Sequence, residues 1–222
     1  MKQVTIKLYQ FSELKEEAKE TALDKMRDIN TDYRWWDFEY DNFKTIAEYV
    51  GVTVDLKKTY FCGFYHQGQG SSYTASVNII KLLQGVKEMA WKAYAPKAEL
   101  DFPVINIDRR VLDLIQRDII DTWAKVEPTN RETSVNVSID LNFSYNRCGN
   151  YNCIEDELSR LEEDITDVCE QLNHFLFTAL QKAYEYLTSD AAITETIKAN
   201  GYSFTADGYP GFCIEKLAGQ NG

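Results

Sequence analysis

Apolar and polar positions alternate most cleanly from residue 134 to 145. There Val135, Val137, Ile139, Leu141, Phe143 and Tyr145 fall on one face, and Ser134, Asn136, Ser138, Asp140, Asn142 and Ser144 on the other. A period of two marks a half-buried strand, and this one is expected in the interior of a sheet. The period then changes. Ile154, Leu158, Leu161, Ile165, Val168, Leu172, Phe175 and Ala179 recur at helical spacing, which predicts a helix of roughly 33 residues. The stripe widens toward Phe177, Leu180, Tyr184 and Leu187, more than a two-stranded seam needs. It therefore reads as a helix lying across the sheet, with pairing in a homodimer as the other arrangement. His174, beside Phe175 in this helix, reads as a satisfied, partly buried histidine.

The rest of the chain supplies shorter signals. Residues 4–9 alternate as a strand. Ser12 then reads as an N-cap followed by Glu13, Glu16 and Glu17, with Phe11, Leu14, Ala18, Ala22 and Met26 at helical spacing. After a break at Asn30, Thr31 and Asp32, a second helix carries Trp35, Trp36, Phe43, Ile46 and Val50, and Gly51 ends it. Residues 52–54 and 75–80 read as strands flanking residues 60–73. A third helix spans 82–91, softened at Gly85, and a loop containing Pro96 and Pro103 follows. Residues 105–124, with Ile107, Val111, Leu112, Ile115, Ile119 and Trp123, read as one further amphipathic helix. Ser189 and Asp190 cap a final short helix closed by Asn200 and Gly201; residues 202–205 make a last strand, and 218–222 a frayed tail. The pattern is α+β: an antiparallel or mixed sheet covered by helices, including one long C-terminal helix, in a single domain over residues 1–222.

Composition narrows the class. A 222-residue chain with 44% hydrophobic and 13% aromatic residues can bury a substantial core. No apolar run approaches the roughly 20 residues that span a bilayer, and the first residues lack a signal-peptide core, so a cytoplasmic protein without membrane contact is expected. Cysteines at 62, 148, 153, 169 and 213 fit reduced thiols. A formal charge of -11 argues against direct nucleic-acid binding, because no net positive field displaces counterions.

Catalytic motifs are sparse. The sequence holds no P-loop, dinucleotide fingerprint, HExxH or nucleophile elbow, and no cofactor is implied. Cys148 and Cys153 are spaced too widely for a zinc knuckle, so no metal site is assigned. Cys62 and His66 lack a third, orienting group. What stands out is the segment from 60 to 73, a glycine-rich hairpin dense in aromatics. Tyr60, Phe64, Tyr65, His66, Gln67, Gly68, Gln69, Gly70, Ser71 and Tyr73 are its candidate ligand- or partner-binding residues. Tyr60, Phe64, Tyr65 and Tyr73 could stack a base, with Arg109, Arg110, Lys57 or Lys58 on a phosphate. A second candidate surface is an acidic strip on the long helix, Glu155, Asp156, Glu162, Glu163, Asp167 and Glu170, which could imitate a phosphate backbone.

Several motifs carry a resemblance over nearly the whole chain. These are residues 11–19 (FSELKEEAK), the Trp35-Trp36-Asp37 triplet, residues 60–70 (YFCGFYHQGQG), 184–193 (YEYLTSDAAI) and 199–208 (ANGYSFTADG). Together they resemble a family of small phage and prophage proteins loosely labelled as the antitoxin of a toxin–antitoxin stability system. Cys62 and Gln69 stand where that pattern has serine and aspartate. The resemblance implies a mobile-element accessory protein in the cytoplasm of a bacterial host and supplies no catalytic residues. The acid surplus and the lack of a catalytic constellation favour non-enzymatic inhibition of a host protein, as antitoxin or counter-defence factor. Sequestration of a nucleotide signal ranks second, and a hydrolase or transferase using His66 third.

Overall fold

The computed structural model describes residues 6–142 and 152–212. Phe143, Tyr145, Cys148, Cys213 and the tail 218–222 lie outside them, as does the start of the first predicted strand. In chain order the elements are β1 (Tyr9–Gln10), α1 (Glu16–Lys25), α2 (Asp37–Tyr49), β2 (Val52–Phe61), β3 (Ser71–Val77), α3 (Ile79–Lys87), α4 (Arg109–Gln116), β4 (Asp121–Pro128), β5 (Val135–Asn142), α5 (Asn152–Leu187), α6 (Asp190–Asn200) and β6 (Ser203–Phe204). The fold is α+β with antiparallel sheets and a long C-terminal helix. Where the sequence reads as one domain, the chain gathers into two compact units. One comprises Met1–Trp36 with Lys182–Gly222, the other Asp37–Gln181.

The first unit is built from both ends of the chain. β1 pairs antiparallel with β6, Tyr9 opposite Phe204. Phe11, Leu14, Ala18, Ala22 and Met26 bury against Ile193, Ile197 and Phe204. Ser12 is not the helix cap that the sequence suggests. The Gln10 N–H donates to Glu13 Oε2 at 2.7 Å, closing a single 3-10 turn over Phe11–Glu13, and extended Leu14 separates that turn from α1. Ser189 does cap α6, its hydroxyl accepting from the Ala192 N–H, and Gly201 ends the helix at φ +64°. Asn30, buried, donates to the Leu187 carbonyl at 3.0 Å and accepts from the Thr196 hydroxyl at 2.7 Å, so the predicted chain break is also a polar clasp.

In the second unit a four-stranded sheet has the order β2-β3-β4-β5. Gly51, at φ +73°, turns the chain from α2 into β2. Gly85 does not soften α3. A Cβ there would lie 2.5 Å from the Tyr49 carbonyl oxygen, so the glycine lets α3 approach the end of α2. Over Val135–Asn142 the alternation is a strand, as read, but an edge strand rather than an interior one: Val135 and Leu141 are buried while Val137 and Ile139 are half-buried. The interior positions belong to β3 and β4, and β3 holds buried Ser71, Ser72, Tyr73 and Ala75.

The helix expected over 105–124 divides in two. α4 stops at Gln116, Asp118 takes a left-handed φ of +52°, and the chain reverses into β4. From Asp121↔Asn142 to Pro128↔Val135 this stretch pairs with β5, leaving Trp123 exposed. A helical period and a strand ladder compete for the same residues here, and the non-local pairing wins.

α5 runs unbroken for 36 residues, as the stripe predicts. Leu158, Leu161, Ile165, Val168, Leu172, Leu176 and Leu180 are all buried. It packs on the sheet through β3: the Tyr73 hydroxyl donates to the Cys169 carbonyl at 2.9 Å, and Ser71 meets Asn173. Among the described residues no helix is long and apolar enough to cross a membrane.

Candidate functional site

Residues 62–70, between β2 and β3, form a cross-braced loop. The Cys62 N–H donates to the Gly70 carbonyl at 2.9 Å, continuing the ladder past the Phe61↔Ser71 pair. Within the loop the Gln69 N–H reaches the His66 carbonyl, and the Gln69 side-chain oxygen turns back to accept from the Tyr65 N–H at 2.7 Å. Gly63 sits at φ +50°, and a Cβ there would stand 2.5 Å from His66 Nε2, so glycine lets the imidazole lie against the backbone. His66 Nδ1 is 3.2 Å from the Gln67 carbonyl.

An aromatic anchor fixes this loop from beneath. Phe64 stacks on Phe61 with centroids 5.8 Å apart and meets Phe177 of α5 at 5.5 Å. Tyr65 follows at φ +64°, left-handed and without glycine's freedom, with 66% of its surface exposed. Such a conformation costs on the order of 1–2 kcal/mol in an ordinary residue, and the Gln69 hydrogen bond offsets part of that. Tyr60, His66, Gln67, Gly68 and Gln69 are exposed beside it. The Gln67 side-chain amide has no hydrogen bond among the described residues.

Two residues of the sequence-derived set belong to the interior instead. Tyr73 is fully buried against Phe43, and burial raises its phenol well above the ordinary range. Ser71 is buried too, its hydroxyl donating to the Asn173 carbonyl and side-chain oxygen while the Asn173 amide donates to the Ser71 carbonyl at 2.8 Å. Their position on a central strand under α5 is set by the topology, which the local sequence does not display.

Beside the loop lies a groove of about 360 Å³ lined by Gln69, Gly70, Thr133, Ser134, Glu170, Asn173, His174 and Phe177 among others. The β4–β5 turn enters it because Gly70 permits a close approach; a Cβ would fall 2.1 Å from the Thr133 carbonyl oxygen. The Ser72 hydroxyl donates to the carbonyl of Glu132, which holds a left-handed φ of +56°. His174, expected to be partly buried, is exposed on this groove, because α5 turns it away from the Leu172 and Leu176 side. Glu170, the last residue of the acidic strip, lines the same groove, so the two candidate surfaces meet here.

The strip itself is mostly on the surface: Glu155, Asp156, Glu163, Asp167 and Glu170 are exposed and Glu162 half-buried. None of the six forms an ion pair among the described residues. Neighbouring Asp164 has a raised carboxyl pKa, first from burial and then from the charges of Asp167 and Glu163. Asn173 and the Thr133–Ser134 turn were not singled out from the sequence. A polar residue one helical turn from both Cys169 and Phe177, on the sheet-facing side, is the signal that marks Asn173.

Elsewhere, the cationic residues considered for a phosphate fall on other elements. Lys57 and Lys58 are exposed where the β2–β3 register shifts between Asp55 and Thr59. Arg110 is engaged by Asp108 at 2.8 Å. Cys62 and Cys153 are exposed thiols, whereas burial pushes Cys169 up to about 12. Among the described residues no group of three or more His, Cys, Asp and Glu side chains is arranged to hold a metal ion.

Residues 35–190 match the model of a family described as a domain of unknown function, DUF8835. No curated protein and no solved structure matches the chain.

Proposed function

The chain belongs to the DUF8835 family, and from that premise we propose that it works non-enzymatically, binding and inhibiting a host protein through the loop at 62–70. The observation that carries this reading is Tyr65. An exposed aromatic held in a left-handed conformation by its own loop is backbone strain kept at the surface, where contact with another molecule gives it a use. Around it sit His66, Gln67 and Gln69, adaptable polar groups beside a rigid ring, the combination that antibody-like contact loops use. The bracing by Phe61, Phe64 and Phe177 lowers the entropy lost when a partner docks.

The resemblance to phage and prophage proteins makes a bacterial protein the partner class, in an antitoxin or counter-defence role within the host cytoplasm. A charge of -11 favours a basic patch on that partner. Sequestering a nucleotide is the weaker reading, because Tyr73 is committed to the core and Phe64 to the anchor.

Photo-crosslinkers placed at Tyr65 and Gln67, and separately at Glu162 and Glu163, test the assignment in the native host. The loop positions should each capture the same protein, and Tyr65→Ala with Gln67→Ala should abolish its co-purification. Adducts from the helix positions alone would move the interface to the acidic strip. A nucleotide extracted from the wild type and lost in the loop variant would establish the second reading instead.

A further inference from the structure

A second concave site lies on other elements of the same unit. Its cavity is about 1060 Å³, between α3, the 3-10 turn Ala90–Ala93, the irregular segment 100–107 and α4. Part of the wall is apolar, with Leu83, Val86, Trp91, Phe102, Val104 and Leu112 prominent in it, and polar side chains share the rest. Trp91 and Phe102 meet edge to face at 4.8 Å. Val104 is 83% exposed and Met89, at a left-handed φ of +50°, is 48% exposed, so apolar surface faces water at the rim. The indole N–H of Trp91 is buried without an acceptor among the described residues. One side of the cleft is held chiefly by side chains: residues 100–107 make no backbone hydrogen bond among the described residues, and the next N–H, that of Asp108, is pinned to Glu157 Oε1 at 2.7 Å.

The cleft also has a charge pattern. Lys87, Lys92 and Arg109 line it against Glu88 and Asp101, a surplus of one positive charge in a strongly acidic protein. Arg109 forms no ion pair among the described residues, whereas adjacent Arg110 is tied to Asp108.

We propose that this cleft binds a single-chain monoanionic amphiphile, a long-chain carboxylate whose tail covers the apolar wall and whose head meets Arg109. A planar guanidinium matches a carboxylate with two parallel hydrogen bonds. The two acids in the lining oppose a dianionic phosphate head more than a monoanion. The volume and lining suit a small-molecule amphiphile: an apolar wall for a tail beside charged and polar groups that orient a head.

Calorimetry of the full chain with laurate, below its micelle concentration, tests this. Saturable one-site binding is expected, with a change in tryptophan emission. Arg109→Gln should weaken it by about tenfold or more, the loss of a charge-assisted contact. Val104→Asp should abolish it, and both positions are exposed enough to spare the fold. Dodecanol and dodecyl phosphate should bind more weakly than laurate. Tyr65→Ala with Gln67→Ala should leave laurate binding unchanged, separating this site from the loop. The proposal is overturned if no saturable heat appears, if dodecanol matches laurate, or if Arg109→Gln and Val104→Asp both bind like the wild type.

Discussion

Replacing Asn173 with Ala should lower the stability of the second unit by about 2 kcal/mol. The figure follows from three contacts. The Asn173 amide donates to the Ser71 carbonyl at 2.8 Å, and the Ser71 hydroxyl is shared between the Asn173 side-chain oxygen at 3.0 Å and its main-chain carbonyl at 3.1 Å. Alanine keeps the main-chain acceptor, so the hydroxyl stays satisfied. What disappears is the bond from the amide, about 1 kcal/mol net, and the Ser71 carbonyl loses that partner in a buried setting, about 1 kcal/mol more. Ser71→Ala removes only the hydroxyl and should cost about 1 kcal/mol. The two costs come from separate contacts, the amide to the Ser71 carbonyl in one variant and the hydroxyl in the other, so the double variant should lie near their sum, about 3 kcal/mol. Urea unfolding followed by circular dichroism gives all four values, and thermal melting should show a drop of roughly 4–8 °C for Asn173→Ala. A loss below about 0.5 kcal/mol for Asn173→Ala would refute the pairing of α5 with β3 on which the argument rests.

Cysteine labelling of the native protein by iodoacetamide should modify Cys62 and Cys153 readily and spare Cys169 until denaturant is added, because that thiol is buried and held at about 12; early labelling of Cys169 in mass spectrometry would contradict its place under Tyr73. Asp108 should titrate at about 2, lowered by the side-chain and then the backbone hydrogen bonds of Arg110. Since its unfolded value is near 4, the stabilising effect is present above about pH 4 and lost as pH falls through the folded value. The carboxyl carbon shift followed by NMR measures this, and Arg110→Gln should return the midpoint toward about 4.

Features determined by a few neighbouring residues were legible in the sequence. The hydroxyl of Ser189 and the freedom of Gly51 and Gly201 act within one turn of chain, so cap and stop could be placed by inspection. The stripe of α5 repeats often enough that one histidine or asparagine within it does not obscure the period. Features determined by distant partners were not. Ile119 and Trp123 continue the period of α4, yet the pairing of β4 with β5 takes them out of the helix. Tyr73 and Tyr65 are equally aromatic in the sequence; one is core because its strand brings it against Phe43 of α2 and Cys169 of α5, and the other stays exposed on the loop. The apolar cleft was missed for a related reason. Leu100, Phe102 and Val104 fall in what the sequence shows only as a loop with Pro103, and Ile105 and Ile107 read there as the start of a helix; in the structure all five lie outside regular elements and line the cavity.

The division of the first unit between the two ends of the chain has a consequence for synthesis. Arg27 and Asp190, joined at 2.6 Å, lie 163 residues apart, and α1 finds its packing partners Ile193 and Ile197 no sooner. At about 5–20 residues per second, a ribosome leaves the apolar face of α1 without those partners for on the order of ten seconds. The continuous segment Asp37–Gln181 emerges meanwhile, with all its strands in hand. The nascent chain is thus set to acquire its inner segment first and to close its ends around their own small core last. During that interval Ala18, Ala22 and Met26 are the surface a chaperone would meet.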